Sequence, residues 1–213
     1  MADPELIGQY LIAHSNPPDE LVARLVAETK ALGDVSRMQI STDEGAFLTL
    51  VARLTNASRA VEVGTFTGYS AICLARGMTP DGRLLCCDVS EEWTGIARRY
   101  WAEAGLAERI ELRLAPAAET LRTLPETPHL DLAFIDADKT GYPTYWEEIV
   151  PRMRTGGAIL VDNVLQGGRV VDDTEDGENV VAIRAFNDQV AGDGRVDAVM
   201  LGVRDGVTLA VRR

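Results

Sequence analysis

Two stretches near the start of the chain carry apolar residues at the three- and four-residue spacing of an amphipathic helix. The first predicts a helix over 18–32, between Pro17-Pro18 and Gly33, with its apolar stripe at Leu21, Val22, Leu25, Val26 and Leu32. The second predicts a helix that Ser41 or Thr42 can cap, with its stripe at Phe47, Leu48, Leu50, Val51 and Leu54.

From residue 58 onward, short apolar runs alternate with helical patterns. The runs predict strands at 60–63, 83–88, 109–114, 130–135 and 157–162, and the intervening segments predict helices near 69–77, 91–104, 117–124 and 143–153. Strands that are apolar at nearly every position, each followed by a helix, are typical of a parallel sheet with helices on both faces. The predicted fold class is therefore α/β.

The C-terminal region departs from this alternation. Two strand-like runs, 197–203 and 207–212, flank Arg204-Asp205-Gly206, so we expect a hairpin and an antiparallel strand at the end of an otherwise parallel sheet. The acidic, glycine-containing stretch 166–179 predicts a long mobile loop and a candidate lid. We expect one domain over 1–213, with a core at 58–213 and an N-terminal helical segment at 1–37.

The charge composition of the chain indicates which classes of binding partner are unfavourable. A net charge of -12 and a pI near 4.6 disfavour binding to nucleic acid or to an anionic membrane surface. The sequence has neither a basic, apolar leader nor a long apolar run, which predicts a cytoplasmic protein. The spacing of Cys73, Cys86 and Cys87 indicates reduced buried thiols, and two histidines are too few for a histidine-rich zinc or iron site.

The segment VEVGTFTGYS, residues 61–70, reads as a strand, a glycine-punctuated turn and the start of a helix. Gly64 and Gly68 allow a ligand close to the backbone, and Asp88 at the end of the next strand is placed to bind ribose hydroxyls. These features predict a nucleoside cofactor. The dinucleotide pattern G-x-G-x-x-G is absent, and a carboxylate at Glu62 would repel pyrophosphate but pair with an amino group, which favours S-adenosylmethionine over NAD.

Two further strand ends carry hard oxygen donors. Asp136 follows one strand, and Asp162 and Asn163 follow the next, at the sheet edge where open α/β folds bind ligands. This set suits Mg²⁺, with Mn²⁺ or Ca²⁺ as alternatives, although each residue could instead be a simple turn former. Lys139, three residues after Asp136, could accept the proton of a phenol, or could be a surface lysine paired with Asp138.

Six segments in order, MQIS (38–41), VEVGTFTGYS (61–70), FIDADK (134–139), VDNVL (161–165), AIRAFN (182–187) and DGVTLA (205–210), resemble the cation-dependent O-methyltransferases typified by the caffeoyl-CoA and catechol enzymes. The resemblance implies a Rossmann-like, seven-stranded class I methyltransferase sheet and a homodimer. It also implies methylation of one hydroxyl of a vicinal-dihydroxy, catechol-type small molecule, the phenolic acceptor.

The resemblance also assigns residue roles. It implies Asp136, Asp162 and Asn163 as metal ligands, with Lys139 and Asp136 as catalytic residues. The donor pocket it implies consists of Met38, Glu62, Gly64, Phe66, Tyr69, Ser70, Asp88, Ala117 and Asp136. The chain departs from the family pattern at Ala115, where many relatives have glycine, and at Asp138, where the catechol enzymes have tryptophan.

Two other functions remain open from the sequence. The glycine turn and Asp88 are also compatible with a nicotinamide-dependent oxidoreductase. A non-catalytic protein that binds S-adenosylmethionine would keep the fold without the chemistry. The acceptor cannot be identified from these residues, because the segments 1–37 and 166–179 that shape its pocket vary within the family.

Overall fold

The computed structural model describes residues 4–213. Its helices are α1 (Pro4–Ala13), α2 (Glu20–Lys30), α3 (Thr42–Leu54), α4 (Tyr69–Gly77), α5 (Glu91–Glu103), α6 (Ala117–Arg122), α7 (Tyr142–Ile149) and α8 (Glu178–Ala191). Its strands are β1 (Arg59–Val63), β2 (Arg83–Asp88), β3 (Ile110–Leu114), β4 (Leu130–Ile135), β5 (Met153–Asp162), β6 (Val196–Leu201) and β7 (Val207–Arg212). Short 3-10 helices occupy Gly33–Met38, Lys139–Gly141, Val150–Arg152 and Gln166–Val171.

The strands form one seven-stranded sheet in the order β3-β2-β1-β4-β5-β7-β6. The five strands from β3 to β5 are parallel, which confirms the α/β prediction, and β7 is antiparallel to both of its neighbours. The antiparallel strand therefore lies inside the sheet rather than at its end. Burial explains the placement, because β7 has mostly buried side chains whereas β6, the edge strand, is largely exposed.

Two apolar cores cover the sheet, one on each face. The first packs α2, α3, α4 and α5 on one face, and the second packs α6, α7 and α8 on the other. The three cysteines are buried free thiols, as predicted, and burial raises the pKa of Cys73 and Cys87 to about 12. Within residues 4–213, no helix combines the length and apolar composition needed to span a bilayer.

The predicted helix over 143–153 is too long at its C-terminal end. The α-helix stops at Ile149, a 3-10 turn containing Pro151 follows, and β5 begins at Met153 rather than at 157. Proline has no backbone N–H to continue the helix. After the buried Met153, residues 154–157 of β5 are polar or glycine, so they carry no apolar strand signal. The pairing with β4 is irregular at this point, since Leu130 and Leu132 pair with Met153 and Ala158.

The segment 166–179 is more ordered than the long loop predicted from its composition. Its first half, Gln166–Val171, consists of 3-10 turns with a kink at Gly167 and Gly168, both of which have positive φ, and α8 begins at Glu178. Arg184 of α8 holds the segment by donating hydrogen bonds to the carbonyl oxygens of Val170 (2.9 Å) and Glu175 (2.9 Å). The sequence of the segment itself does not indicate these hydrogen bonds, because their donor lies in α8. A lid function for the segment stays a prediction.

Candidate functional site

The turn after β1 passes close to the turn after β4. Gly64 has a φ of +89°, and a Cβ at this position would overlap the carbonyl oxygen of Asp136. Gly68, the N-cap of α4, has a φ of +86°, and a Cβ there would overlap Ala97 and the indole nitrogen of Trp101. Both glycines are therefore required by backbone conformation and by close packing.

We expect Gly64→Ala to destabilise the fold by about 2 to 3 kcal/mol, because it combines an unfavourable φ with a backbone overlap. Gly95→Ala is the matched control: Gly95 lies within α5 and its Cβ would meet no atom within 4 Å. That variant should gain about 0.5 to 1 kcal/mol from reduced backbone entropy in the unfolded chain. Urea unfolding of both variants measures the difference, and equal free energies of unfolding would contradict this account of Gly64.

Asp88, at the end of β2, organises the same turn. Its Oδ2 accepts hydrogen bonds from the backbone N–H groups of Thr65 and Phe66, each at 2.9 Å, and its Oδ1 accepts one from Ser90 N–H at 2.8 Å. The carboxylate also lines a cavity, and its three hydrogen bonds leave it the capacity to accept another. Asp88 thus both fixes the turn and faces the space beside it.

Glu62 lies in the interior behind this turn and is fully buried. Its Oε2 accepts a hydrogen bond from the Thr65 hydroxyl at 2.7 Å, and its Oε1 has no partner among residues 4–213. Burial raises the pKa of Glu62 to about 7. The unpaired oxygen is a buried acceptor without a donor, which is costly unless a ligand supplies one.

A cavity of about 1110 Å³ opens at the carboxyl ends of the parallel strands. Of the predicted donor-pocket residues, all except Glu62 line it, namely Met38, Gly64, Phe66, Tyr69, Ser70, Asp88, Ala117 and Asp136. The predicted cation and proton-transfer residues Lys139, Asp162 and Asn163 line the same cavity. Residues predicted from six separate segments are therefore brought together in one space.

An aromatic pair forms one wall of this cavity. Phe66, with a φ of +50°, makes an edge-to-face contact with Trp93, and the ring centroids lie 5.1 Å apart. Trp93, which lines the cavity from the first turn of α5, was not among the predicted site residues. Its position five residues after Asp88 was an available signal, because the helix that follows a ribose-binding acid borders the same site.

Lys139 connects the two strand ends that carry the oxygen donors. Its ammonium donates hydrogen bonds to Asp136 Oδ1 (3.0 Å), Asn163 Oδ1 (2.6 Å) and the Tyr142 hydroxyl (2.6 Å). Tyr142, another residue that the sequence analysis missed, donates in turn to the carbonyl oxygen of Asp162 at 3.0 Å. Oxygens from β4 and β5 thus converge on one positive charge.

Asp162 and Asn163 form a compact unit at the end of β5. Asn163 has a φ of +57°, and its backbone N–H and side-chain amide donate to the two carboxylate oxygens of Asp162 at 2.6 and 3.1 Å. Burial and the negative charge of Asp136 raise the pKa of Asp162. The strained backbone of Asn163 directs its amide oxygen toward Lys139, away from Asp162.

Asp138 pairs with a tyrosine rather than with Lys139. Tyr145 donates a hydrogen bond to Asp138 Oδ1 at 2.5 Å, and both residues line the cavity. The alternative interpretation of Lys139 as a surface lysine paired with Asp138 is therefore wrong, since Lys139 is bonded to Asp136 and its side chain is only 13% exposed.

The side chains predicted to bind a divalent cation carry only oxygen ligands. Within residues 4–213, no three Asp, Glu, His or Cys side chains are grouped as a metal site. The predicted set contains two carboxylates and one amide, and two of these three side chains already share a cationic partner in Lys139. Carboxylate and amide oxygens that already converge on a positive charge are suited to bind Mg²⁺, Mn²⁺ or Ca²⁺. They are not suited to a metal that prefers sulfur ligands.

Comparisons with known proteins identify relatives that span most of the chain. The O-methyltransferase family profile matches residues 12–213. A Dictyostelium discoideum protein named "Probable caffeoyl-CoA O-methyltransferase 1" is 40% identical over 97% of this chain and 91% of its own length. The catechol O-methyltransferase of Mycobacterium tuberculosis is 37% identical over 80% of this chain and 83% of its own.

A solved structure extends the likeness to three dimensions. The O-methyltransferase TomG of Streptomyces achromogenes, involved in tomaymycin synthesis and crystallised with S-adenosylmethionine, superposes with a TM-score of 0.90 and 32% identity, covering 100% of this chain and 99% of that one. The family profile and the curated relatives span most of the chain, including all seven strands of the sheet. The chain belongs to the O-methyltransferase family.

Proposed function

We propose that this enzyme transfers the methyl group of S-adenosylmethionine to one hydroxyl of a vicinal-dihydroxy aromatic molecule, with a divalent cation held by Asp136, Asp162 and Asn163. The observation that carries the proposal is the convergence of Asp136 Oδ1 and Asn163 Oδ1 on one positive charge, in the cavity that the glycine turn also borders. Methyl transfer requires the acceptor oxygen and the methyl carbon in line, so donor and acceptor must share one space.

The donor half of the cavity fits S-adenosylmethionine. Asp88 faces the cavity for a ribose. Glu62, which lies behind the glycine turn and does not line the cavity, has an unpaired oxygen suited to an amino group. Gly64 lets the backbone approach the ligand. The bound donor supplies an electrophilic methyl carbon. The donor complex of TomG supports this assignment. The remaining proposed donor contacts are Met38, Phe66, Tyr69, Ser70, Ala117 and Asp136.

The acceptor half contains the proposed cation ligands and Lys139. A bound cation would stabilise negative charge on an acceptor oxygen. Lys139 is proposed to take the proton of the reacting hydroxyl. An ammonium that donates to three acceptors has no lone pair, so Lys139 can accept a proton only after losing one of its own. Tyr142 orients Lys139, because its hydroxyl contacts both the amine and the backbone of Asp162.

The relatives support a catechol-type acceptor, since their names include catechol and caffeoyl-CoA methyltransferases. The proposal predicts methylation of caffeate and no comparable methylation of its monohydroxy analogue 4-coumarate, because only the former has a second oxygen for the cation. Labelled S-adenosylmethionine with both acceptors, and with hydroxycinnamoyl thioesters and flavonoids, makes the test.

Metal dependence is tested in the same assay. Exhaustive treatment with EDTA should abolish product formation, and added Mg²⁺ should restore it. Equal rates with and without EDTA would exclude the cation role, and equal rates on caffeate and 4-coumarate would exclude the requirement for a vicinal pair. The family match already excludes the nicotinamide-dependent oxidoreductase. Absence of product with every acceptor would favour the non-catalytic alternative.

We also propose that the enzyme is a homodimer. Helix α1 supports this because its apolar side chains are substantially exposed, namely Leu6, Ile7, Tyr10, Leu11 and Ile12. Exposed apolar surface of this kind is typical of protein interfaces. Light scattering on the purified protein should give twice the mass of 23.1 kDa calculated for one chain.

A further inference from the structure

Glu44, in the first turn of α3, has no role in the function proposed above. Its side chain is 2% exposed, yet it lines the cavity. Its Oε1 has no hydrogen-bond partner within residues 4–213. A carboxylate in this position loses its hydration without full compensation, which is unfavourable unless the site binds something that satisfies it.

The surroundings of Glu44 carry an excess of negative charge. Its acidic neighbours are Asp162 and Asp136, so a buried carboxylate at Glu44 is also opposed by two like charges. Lys139 supplies a positive charge to these carboxylates through its hydrogen bond to Asp136. Arg204, which bonds to the first turn of α3, is occupied by Asp43 and Ser41, so it does not neutralise Glu44.

The formal charges of these four side chains indicate which charge the site lacks. The carboxylates of Glu44, Asp136 and Asp162, together with the ammonium of Lys139, sum to two negative charges when all are ionised. One divalent cation brings the sum to zero. Before an acceptor oxygen binds, Asp136, Asp162 and Lys139 alone would leave such a cation with one uncompensated positive charge. Ionised Glu44 completes the balance in this acceptor-free site, where net charge is costly because the groups are buried.

We propose that Glu44 is a positioning residue of the cation site and holds the cation through a coordinated water molecule. The inference rests on the proposed function. A water-mediated contact is favoured because no three acidic side chains in the part of the chain that the structure describes are grouped closely enough to bind one ion directly. Mg²⁺ usually retains several of its waters in protein sites. The residues that bind such outer positions typically contribute tenfold to a hundredfold to metal affinity.

The experiment measures Mn²⁺ binding by electron paramagnetic resonance, which detects the free ion and does not depend on turnover. Glu44→Gln keeps the shape and removes the charge, and should weaken Mn²⁺ binding by about tenfold to a hundredfold. Glu91→Gln is the matched control, since Glu91 is exposed in the first turn of α5 and does not line the cavity. Its Mn²⁺ affinity should equal that of the unchanged enzyme.

A second measurement separates this role from a structural one. Binding of S-adenosylmethionine, measured by calorimetry, should be unchanged in Glu44→Gln, whereas a disrupted fold would weaken both ligands. If Glu44→Gln does not fold, Glu44→Asp retains the charge and should bind Mn²⁺ within about tenfold of the unchanged enzyme. Undiminished Mn²⁺ affinity in Glu44→Gln would overturn the inference and leave the proposed function standing. Failure of the unchanged enzyme to bind Mn²⁺ would overturn both.

Discussion

Asp162→Asn is expected to lower kcat/KM for a catechol acceptor by about a thousandfold, since loss of cation stabilisation is worth several kcal/mol and each 1.36 kcal/mol is a factor of ten. Asparagine keeps the size of this buried side chain but removes its charge. The loss should appear in initial rates at saturating S-adenosylmethionine. A higher Mg²⁺ concentration should recover part of the rate, because the substitution weakens binding of the cation.

The control for this variant is Asp173→Asn, which removes the same charge from an exposed residue. Its rate should match that of the unchanged enzyme. Affinity for S-adenosylmethionine should also persist in Asp162→Asn, because Gly64 and Asp88, which border the donor, lie at the ends of other strands. A rate within threefold of the unchanged enzyme would remove Asp162 from the proposed cation site.

Lys139→Met is expected to lower kcat by about a hundredfold to a thousandfold, the range over which a positioned acid or base usually contributes. The effect on Mn²⁺ affinity should distinguish this variant from Asp162→Asn. Because Lys139 places a positive charge on Asp136 and Asn163, its removal should leave Mn²⁺ affinity unchanged or stronger, in contrast to Asp162→Asn. Loss of rate without loss of cation affinity would assign Lys139 to proton transfer.

The other lysine of the chain supplies the matched control. Lys30, at the exposed end of α2, can be replaced by methionine without contact with the cavity, and this variant should retain full activity. If Lys139→Met also lost Mn²⁺ binding or unfolded at a much lower temperature, the lysine would be a structural tie between β4 and β5 rather than a base.

Most of the cavity was predictable because its residues lie at the ends of recognisable strands. The apolar runs that become β1, β2, β4 and β5 are followed by Gly64, Asp88, Asp136 and Asp162, and parallel strands end at one edge of a sheet. The strand assignments depended on patterns within a few residues. Where that pattern was interrupted, as in the shifted pairing at the start of β5, the predicted boundary was wrong by four residues.

Residues brought in from other elements could not be predicted in this way. Trp93 lines the cavity from α5, and its position five residues after Asp88 was its one signal in the sequence. Tyr142 of α7 bonds to Lys139, and no pattern around it in the sequence indicates that contact. Arg184 orders the segment before α8 through backbone carbonyls, which every residue possesses. Contacts of this kind depend on how helices pack on the sheet.

By itself, the sequence determined the α/β class, the glycine turn and the strand-end oxygens, because these follow from local periodicity and from the conformations that glycine alone tolerates. Only the tertiary structure decided that β7 lies between β5 and β6, that Lys139 joins Asp136 to Asn163, and that Glu44 faces Asp162. The physical reason is that these pairs are distant along the chain or on separate elements. Their proximity is selected by burial of two apolar faces, which no short sequence window contains.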